Sequence, residues 1–195
     1  MSALPPIAEL AAGSSDALTG ALAVLFEPSP TLAAHLTPQV SARLQHTPVA
    51  TYAALVDAAL AAIAAWDDAP KARFIAGHPR IGEVKHLSAL SAREQAAAAT
   101  PPAVLARLRH LNACYEQRYP GLIYITFVNG RSRTAIMYEM EDVLGLERSL
   151  SATEPEVSSL AAVEVGGQEW RGELERAVQD VGRIAKSRLA SLGVQ

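Results

Sequence analysis

The sequence has a single cysteine, few aromatic residues and no long apolar run. Cys114 alone cannot form an internal disulfide bond, and its place among the apolar positions of a predicted helix favours a buried, unreactive thiol in a reducing compartment. No apolar segment approaches the roughly 18 residues of a membrane span, which argues against a membrane partner. The start Met-Ser-Ala-Leu-Pro-Pro lacks the basic segment of a secretory signal, and the ending Leu-Gly-Val-Gln is not a peroxisomal tripeptide. We therefore expect a soluble, cytoplasmic protein.

The chain also lacks an excess of charge of one sign. It has 17 Lys and Arg against 20 Asp and Glu, for a net charge of −3, and the two signs are interspersed. A nucleic-acid partner is not expected, because phosphate binding requires a basic patch. With 195 residues, half of them hydrophobic, the chain can bury a substantial core, and its length predicts a single domain over residues 1–195.

Apolar residues recur at helical spacing in five segments, which predicts an all-α fold: a single compact multi-helix domain. Ser14 offers an N-cap for the first segment, the second covers Tyr52 to Trp66, and a Pro-Pro pair at 101–102 opens the third. The fourth begins near Ser132 and ends at Gly145. The fifth runs from Gln168 to Leu192.

Two regions depart from this helical pattern. Residues 122–128 are rich in β-branched and aromatic side chains and lead into an Asn-Gly turn, as a strand would. No second segment alternates well enough to pair with them, so we predict one short extended or partly helical segment among the helices. Residues 149–167 are long for a connection and contain Pro155 and two glycines, which indicates a surface excursion.

Arg188 interrupts the apolar face of the last predicted helix. It follows Ile184 by four residues and Val181 by seven, so at about 100° per residue it lies near the centre of that face, whereas Arg183 and Lys186 lie on the other side. A guanidinium does not lose its proton when buried, and it therefore requires an anion nearby. The anion is either a ligand or an internal carboxylate.

The residues with the clearest chemical potential lie between positions 77 and 95. His78 precedes Pro79, which biases it toward an extended conformation, and glycines on both sides of the pair permit close backbone approach. Ser91 and Glu94 have the spacing of a capping box at a helix start. Both features have ordinary structural explanations, but a helix start also offers free N–H groups to an anionic ligand.

In combination, these elements resemble the family of 2-oxo-4-hydroxy-4-carboxy-5-ureidoimidazoline (OHCU) decarboxylases, which complete the conversion of urate to allantoin. The resemblance extends from about Tyr52 to Leu192. Its specific parts are His-Pro at 78–79, Ser-x-x-Glu-Gln at 91–95, Leu-Asn-x-x-Tyr at 111–115, and the run from Tyr119 to Ser132. The wording His-Pro-Arg-Ile-Gly and Val-Asn-Gly-Arg-Ser is most similar to the fungal branch and some bacterial members.

The resemblance implies an all-helical homodimer that acts on a small ureidoimidazoline without metal or organic cofactor. It implies that His78, Glu94 and Arg188 are catalytic, with His78 as general acid and Glu94 orienting it. It also implies a set of substrate-binding residues: Pro79, Ser91, Ala92, Arg93, Glu94, Gln95, Ile123, Tyr124, Ile125, Thr126, Phe127 and Arg188. The residues 119–122 differ from the Phe-Gly-Phe-Pro of animal and plant members, and residues 149–167 exceed the usual connection. Arg183 replaces Arg188 if the register of the last helix shifts.

Three other interpretations remain open from the sequence. A metal hydrolase would need closely spaced ligands, but none of the five histidines forms an HExxH or similar pair. A non-catalytic helical module could bind ureides or purines with the same pocket. A purely structural helical scaffold would pair Arg188 with an internal carboxylate such as Glu94 or Glu116.

Overall fold

The computed structural model describes residues 4–12, 14–83, 90 and 100–194, and within them the fold is all-α, as predicted. No strand occurs in these ranges. Eight α-helices lie in the described residues: α1 (Ile7–Ala12), α2 (Ser15–Phe26), α3 (Thr37–His46), α4 (Tyr52–Ala64), α5 (Asp68–Ala76), α6 (Pro102–Arg118), α7 (Arg133–Leu144) and α8 (Gln168–Leu192). One turn of π-helix (Leu32–Leu36) precedes α3, and a short 3₁₀-helix (Val157–Ser159) lies between α7 and α8.

All five helices predicted from periodicity are confirmed, because local capping agrees with the apolar pattern. The side chain of Ser14 accepts a hydrogen bond from the backbone N–H of Ala17, and that of Ser132 accepts one from Ala135. Gly145 ends α7 in the left-handed conformation at φ 66°, where a side chain would be strained. The apolar faces of these helices supply most of the buried core.

Besides the six-residue α1, two helices, α3 and α5, have too weak an apolar pattern to be predicted from the sequence. In α3 only Val40 and Leu44 are apolar and buried, and Pro38 occupies the first turn. In α5 a proline likewise lies in the first turn, where its missing N–H has no intrahelical partner to lose. Both helices therefore owe their stability to packing more than to local sequence.

The chain divides into two compact units. One contains the residues up to His78 together with those from Val178 onward, so it holds α1 to α5 and the second half of α8. The other contains Pro79–Ala177. The prediction of a single domain stays a prediction. None of the helices in the described ranges is both long and apolar enough to cross a membrane.

In the second unit, residues 122–128 form the predicted irregular segment between α6 and α7. They have no regular secondary structure, and those from 122 to 126 are buried. The turn that follows has positive φ at Asn129 (45°) and Gly130 (73°), and the Arg131 N–H closes it onto the Val128 carbonyl at 2.9 Å. The Asn-Gly sequence therefore forms a tight turn, although the residues on either side of it do not form a β-hairpin.

The long connection at 149–167 is tied to α6 by hydrogen bonds. Arg107, itself buried, donates to the carbonyls of Ser151 and Glu154, and His110 contacts the Pro155 carbonyl at 2.9 Å. Leu150 and Val165 are exposed. The placement of the segment as a surface excursion remains our interpretation.

Candidate active site

His78 follows directly on the end of α5 and is held by that helix. Its backbone N–H donates to the Ile75 carbonyl at 3.0 Å, and its Nδ1 lies 3.1 Å from the Phe74 carbonyl. Because a carbonyl oxygen can only accept, Nδ1 carries the hydrogen in this contact. The ring also packs edge-on against Phe74, with centroids 5.3 Å apart. The imidazole is thus fixed in orientation and tautomer, with Nε2 on its other side.

The Nε2 atom of His78 is the chemically available atom of this ring. The side chain is only 7% exposed, and Nε2 has no hydrogen-bond partner within the described part of the chain. Burial lowers the pKa of His78 from 6.5 to about 4; the negative charge of Glu27 opposes this shift, and the positive charge of Arg188 adds to it. His78 is therefore neutral at pH 7, with a basic lone pair on Nε2.

The predicted burial of Arg188 in the face of α8 is confirmed. Its side chain is 2% exposed, and its Nη2 donates to Glu27 Oε1 at 2.5 Å. Its Nη1 donates to the carbonyls of Val24 at 3.3 Å and Leu25 at 3.2 Å, in the last turn of α2. Those carbonyls lack intrahelical partners and carry the negative end of the helix dipole. The carboxylate that follows α2 is therefore an anionic partner of Arg188 in this structure.

Glu27 is the functional candidate that sequence reasoning missed. It is buried, and it has a positive φ of 68° where α2 ends. One signal in the sequence could have indicated it: an acidic residue between the apolar end of a helix and a proline opposes the helix dipole, and such a residue needs a cation. Its partner lies 161 residues away, which no local pattern shows.

Gly77 brings the chain around His78 close to the segment that follows Glu27. A Cβ atom at Gly77 would lie 2.7 Å from the Cβ of Ser29, closer than side chains approach one another. Ser29 is itself held, because its Oγ accepts from the backbone N–H of Leu32 at 3.1 Å. The glycine before the His-Pro pair therefore serves a close approach, as the sequence permitted.

Of the two carboxylates proposed from the sequence as internal partners of Arg188, Glu94 lies outside the described residues, and Glu116 pairs with a different arginine. Glu116 accepts from Arg80 instead, at 2.5 Å and 3.0 Å. Arg183, the substitute for Arg188 under a shifted register, pairs with Asp180 and is 63% exposed, in agreement with its predicted place on the other side of the helix. Ser91, Ala92, Arg93, Glu94 and Gln95 lie outside the described residues, and their roles stay predictions.

In the second unit, hydrogen bonds from arginines hold residues 123–127, which we call the predicted substrate strip. Arg176 donates to the Ile125 carbonyl at 2.8 Å, and Arg131 donates to the Phe127 carbonyl. The hydroxyls of Tyr124 and Thr126 donate to Glu139 at 2.7 Å and 3.1 Å, and Arg131 also pairs with that carboxylate. Two carbonyls of this unpaired extended segment, those of Ile125 and Phe127, are thereby satisfied. Contacts of Ile123, Ile125 and their neighbours with a substrate remain predicted, as does that of Pro79.

A further buried network lies behind the strip. The Tyr115 hydroxyl donates to Glu173 at 2.5 Å, and Arg176 pairs with the same carboxylate. Burial raises the pKa of Tyr115, and so does the negative charge of Glu173. Tyr115 therefore stays a neutral hydrogen-bond donor, and the network fixes the arginine that reaches the Ile125 carbonyl. Through Arg176, this network therefore helps to hold the predicted substrate strip in place.

Comparison with known proteins assigns the chain to a family. Among the described residues, no three His, Cys, Asp or Glu side chains are grouped so that they could hold a metal ion, and the cofactor-free reaction stays a prediction. No curated protein matches the sequence significantly. The family model described as OHCU decarboxylase matches residues 11–190. Because this match covers most of the 195 residues and includes His78, Glu27 and Arg188, the chain belongs to the OHCU decarboxylase family.

Proposed function

We propose that the chain converts OHCU to (S)-allantoin with His78 as general acid. Membership of the family gives the reaction class: the chain is a carboxy-lyase that decarboxylates OHCU in urate catabolism. The observation that supports the role of His78 is its buried ring, whose Nδ1 is bound to the Phe74 carbonyl and whose Nε2 has no partner among the described residues. A ring held in this way presents one nitrogen for proton transfer.

The substrate allows this reaction without an external electron sink. Its carboxylate is attached to a carbon beside a ring C=N, so the electron pair left by departing carbon dioxide delocalises onto nitrogen. The protein then has to hold the anion and deliver one proton to one face of the ring. Delivery from a fixed imidazole gives a single enantiomer, which is why (S)-allantoin and not a racemate is expected.

The low pKa of His78 sets the order of proton movements. In the empty site the ring is neutral at pH 7, so it must gain a proton before it can act as an acid. An anionic substrate near Nε2 favours that proton, because an opposite charge stabilises the imidazolium. When the carbon–carbon bond breaks, the electron pair moves onto the nitrogen of the ring C=N, and Nε2 gives its proton to the adjacent ureido-bearing carbon, which becomes the stereocentre of allantoin. The carbon that has lost carbon dioxide becomes a carbonyl as its hydroxyl proton passes to the ring nitrogen. The neutral imidazole then regains a proton from water.

Arg188 and Glu94 have supporting roles in this proposal. Arg188 contributes positive charge for an anionic substrate, either at the carboxylate or at the ureido group. Too tight a grip on the carboxylate in the ground state would slow its loss. Glu94 orients His78 and holds its protonated form, and Gln95 binds the ureide. A homodimer and a cytoplasmic location complete the proposal, the first from the family resemblance and the second from the sequence.

The decisive experiment generates the unstable substrate in situ by urate oxidation followed by hydroxyisourate hydrolysis. Substrate decay and the circular dichroism of the product are then recorded with and without the protein. We expect faster decay and optically active (S)-allantoin, and we expect His78→Asn to abolish both while folding. Asparagine can still donate to the Phe74 carbonyl, and exposed His46→Asn is the control. Decay at the spontaneous rate to a racemate would refute the proposal.

A further inference from the structure

The buried ion pair between Glu27 and Arg188 contains a carboxylate that the family resemblance did not assign. Glu27 is 5% exposed, and its Oε1 lies 2.5 Å from the Nη2 of Arg188. Its backbone adopts φ 68°, which is uncommon for a residue with a side chain. A carboxylate at this place is unfavourable for two reasons: it is buried, and it lies at the negative end of a helix dipole. Such arrangements persist where the surrounding structure requires them.

The end of α2 fixes the guanidinium of Arg188 on two of its nitrogens. Glu27 takes Nη2, while the carbonyls of Val24 and Leu25 take Nη1. A planar guanidinium held on both terminal nitrogens has little freedom to rotate. The carboxylate and the two carbonyls thus determine the orientation of the Arg188 guanidinium.

The negative charge of Glu27 also raises the pKa of His78, against the effect of burial. Among the described residues, the charged groups that influence this ring are Glu27, which favours its protonated form, and Arg188, which disfavours it. The close approach of Gly77 to Ser29 keeps the segment after Glu27 beside the residue before His78. Loss of the Glu27 charge would remove an influence that favours the protonated ring, while the influence of Arg188 would remain.

We infer that Glu27 is a positioning residue for the decarboxylation: it fixes the orientation of Arg188 and supplies a buried negative charge to the surroundings of His78. The inference rests on the proposed roles of His78 and Arg188. Glu27 and Arg188 carry opposite charges and pair with each other. An anionic substrate then adds net negative charge, which favours proton uptake by His78. An unpaired Arg188 would instead bind the substrate carboxylate tightly and disfavour its loss.

The test is Glu27→Gln in the full-length chain, because glutamine keeps the shape and an acceptor oxygen but removes the charge. We expect kcat to fall about tenfold or more while KM stays similar or falls, since ground-state binding is retained. We also expect the alkaline limb of the pH profile, where the acid form of His78 is lost, to move to lower pH, and an NMR titration to show a lower pKa for His78. Glu27→Asp, which retains the charge, should restore most of the wild-type pH profile.

A matched control is Asp57→Asn. It removes an exposed ion pair between α4 and α8, where Asp57 lies 2.9 Å from Lys186, and it should leave kcat and the pH profile unchanged. A purely structural role for Glu27 predicts a lower melting temperature in Glu27→Gln with unchanged kcat, pH profile and His78 titration. That result would overturn the inference.

Comparison with Arg188→Met keeps the inference testable if Glu27→Gln does not fold. Removing both partners of a buried pair is usually better tolerated than removing one. A positioning role on His78 predicts that the double variant Glu27→Gln, Arg188→Met has a lower kcat than Arg188→Met alone, and equal values would contradict it. Failure of the proposed function is distinguishable, because then the wild-type protein itself would not accelerate the reaction.

Discussion

The buried, neutral state of His78 predicts a strong dependence of stability on pH, independent of any substrate. The histidine has a pKa of about 4 in the folded protein, against 6.5 for an ordinary histidine. Between these values the unfolded chain binds a proton that the folded chain does not. Stability therefore falls as the pH falls from about 6.5 towards 4, and it is restored as the pH rises.

The size of this effect follows from the difference between the two pKa values. That difference, 6.5 minus about 4, corresponds to about 3 kcal/mol at 1.36 kcal/mol for each pKa unit. The ring is 7% exposed, so little solvent screening reduces it. A loss of this size is a large fraction of the 5–15 kcal/mol that stabilises a typical domain.

Urea unfolding at pH 7 and pH 4, followed by far-ultraviolet circular dichroism, measures this contribution. Wild type should lose about 3 kcal/mol more than His78→Asn between the two pH values, because the variant lacks the titrating ring. His46→Asn controls for loss of an exposed imidazole. Equal losses in wild type and His78→Asn would show that the ring is already protonated in the fold, and would refute our account of its neutral state.

Two further predictions concern packing and buried charge. Gly77→Ala should lower the free energy of unfolding by about 1–3 kcal/mol, because its Cβ would collide with Ser29. Gly20→Ala in α2, with open space around it, should raise the free energy of unfolding by about 0.5–1 kcal/mol. Thermal and urea unfolding measure both variants, and equal effects would contradict the close approach at Gly77. Glu141→Gln should cost about 3–5 kcal/mol, because it removes the negative charge that compensates the buried Arg107 at 2.9 Å. Faster proteolysis at residues 149–155 should accompany that loss, since Arg107 also holds the Ser151 and Glu154 carbonyls.

Helical phase was sufficient to predict the burial of Arg188, and local chemistry was sufficient for the helix ends. Position along a helix determines the direction of a side chain, so one apolar face identifies which arginine is buried and which is exposed. Ser14, Ser132 and Gly145 act within a few residues of themselves, and the structure confirms their predicted places. Such features are determined over one or two turns, the range over which a sequence can be interpreted directly.

The partners of the buried polar groups could not be predicted in the same way. Arg188 meets Glu27 across 161 residues, and Arg176 reaches the Ile125 carbonyl across 51. Each contact depends on how helices pack, and packing is decided by shape and burial over the whole chain. The irregular segment at 122–128 illustrates the difference: its lack of a strand partner was visible in the sequence, but the arginines that satisfy its carbonyls were not.

The first unit brings together three ionisable groups whose charges balance before any ligand arrives. His78 is neutral because it is buried, and Arg188 is compensated by Glu27. In a poorly solvated environment a further negative charge is costly unless a positive one accompanies it. Arg188 and Glu27 already pair with each other, so a proton on His78 is the compensation that we expect among these three groups. On this reasoning, the burial that lowers the pKa of His78 also makes its proton uptake depend on an anionic substrate. The protonated form of His78 is then expected only when a substrate is present to receive the proton.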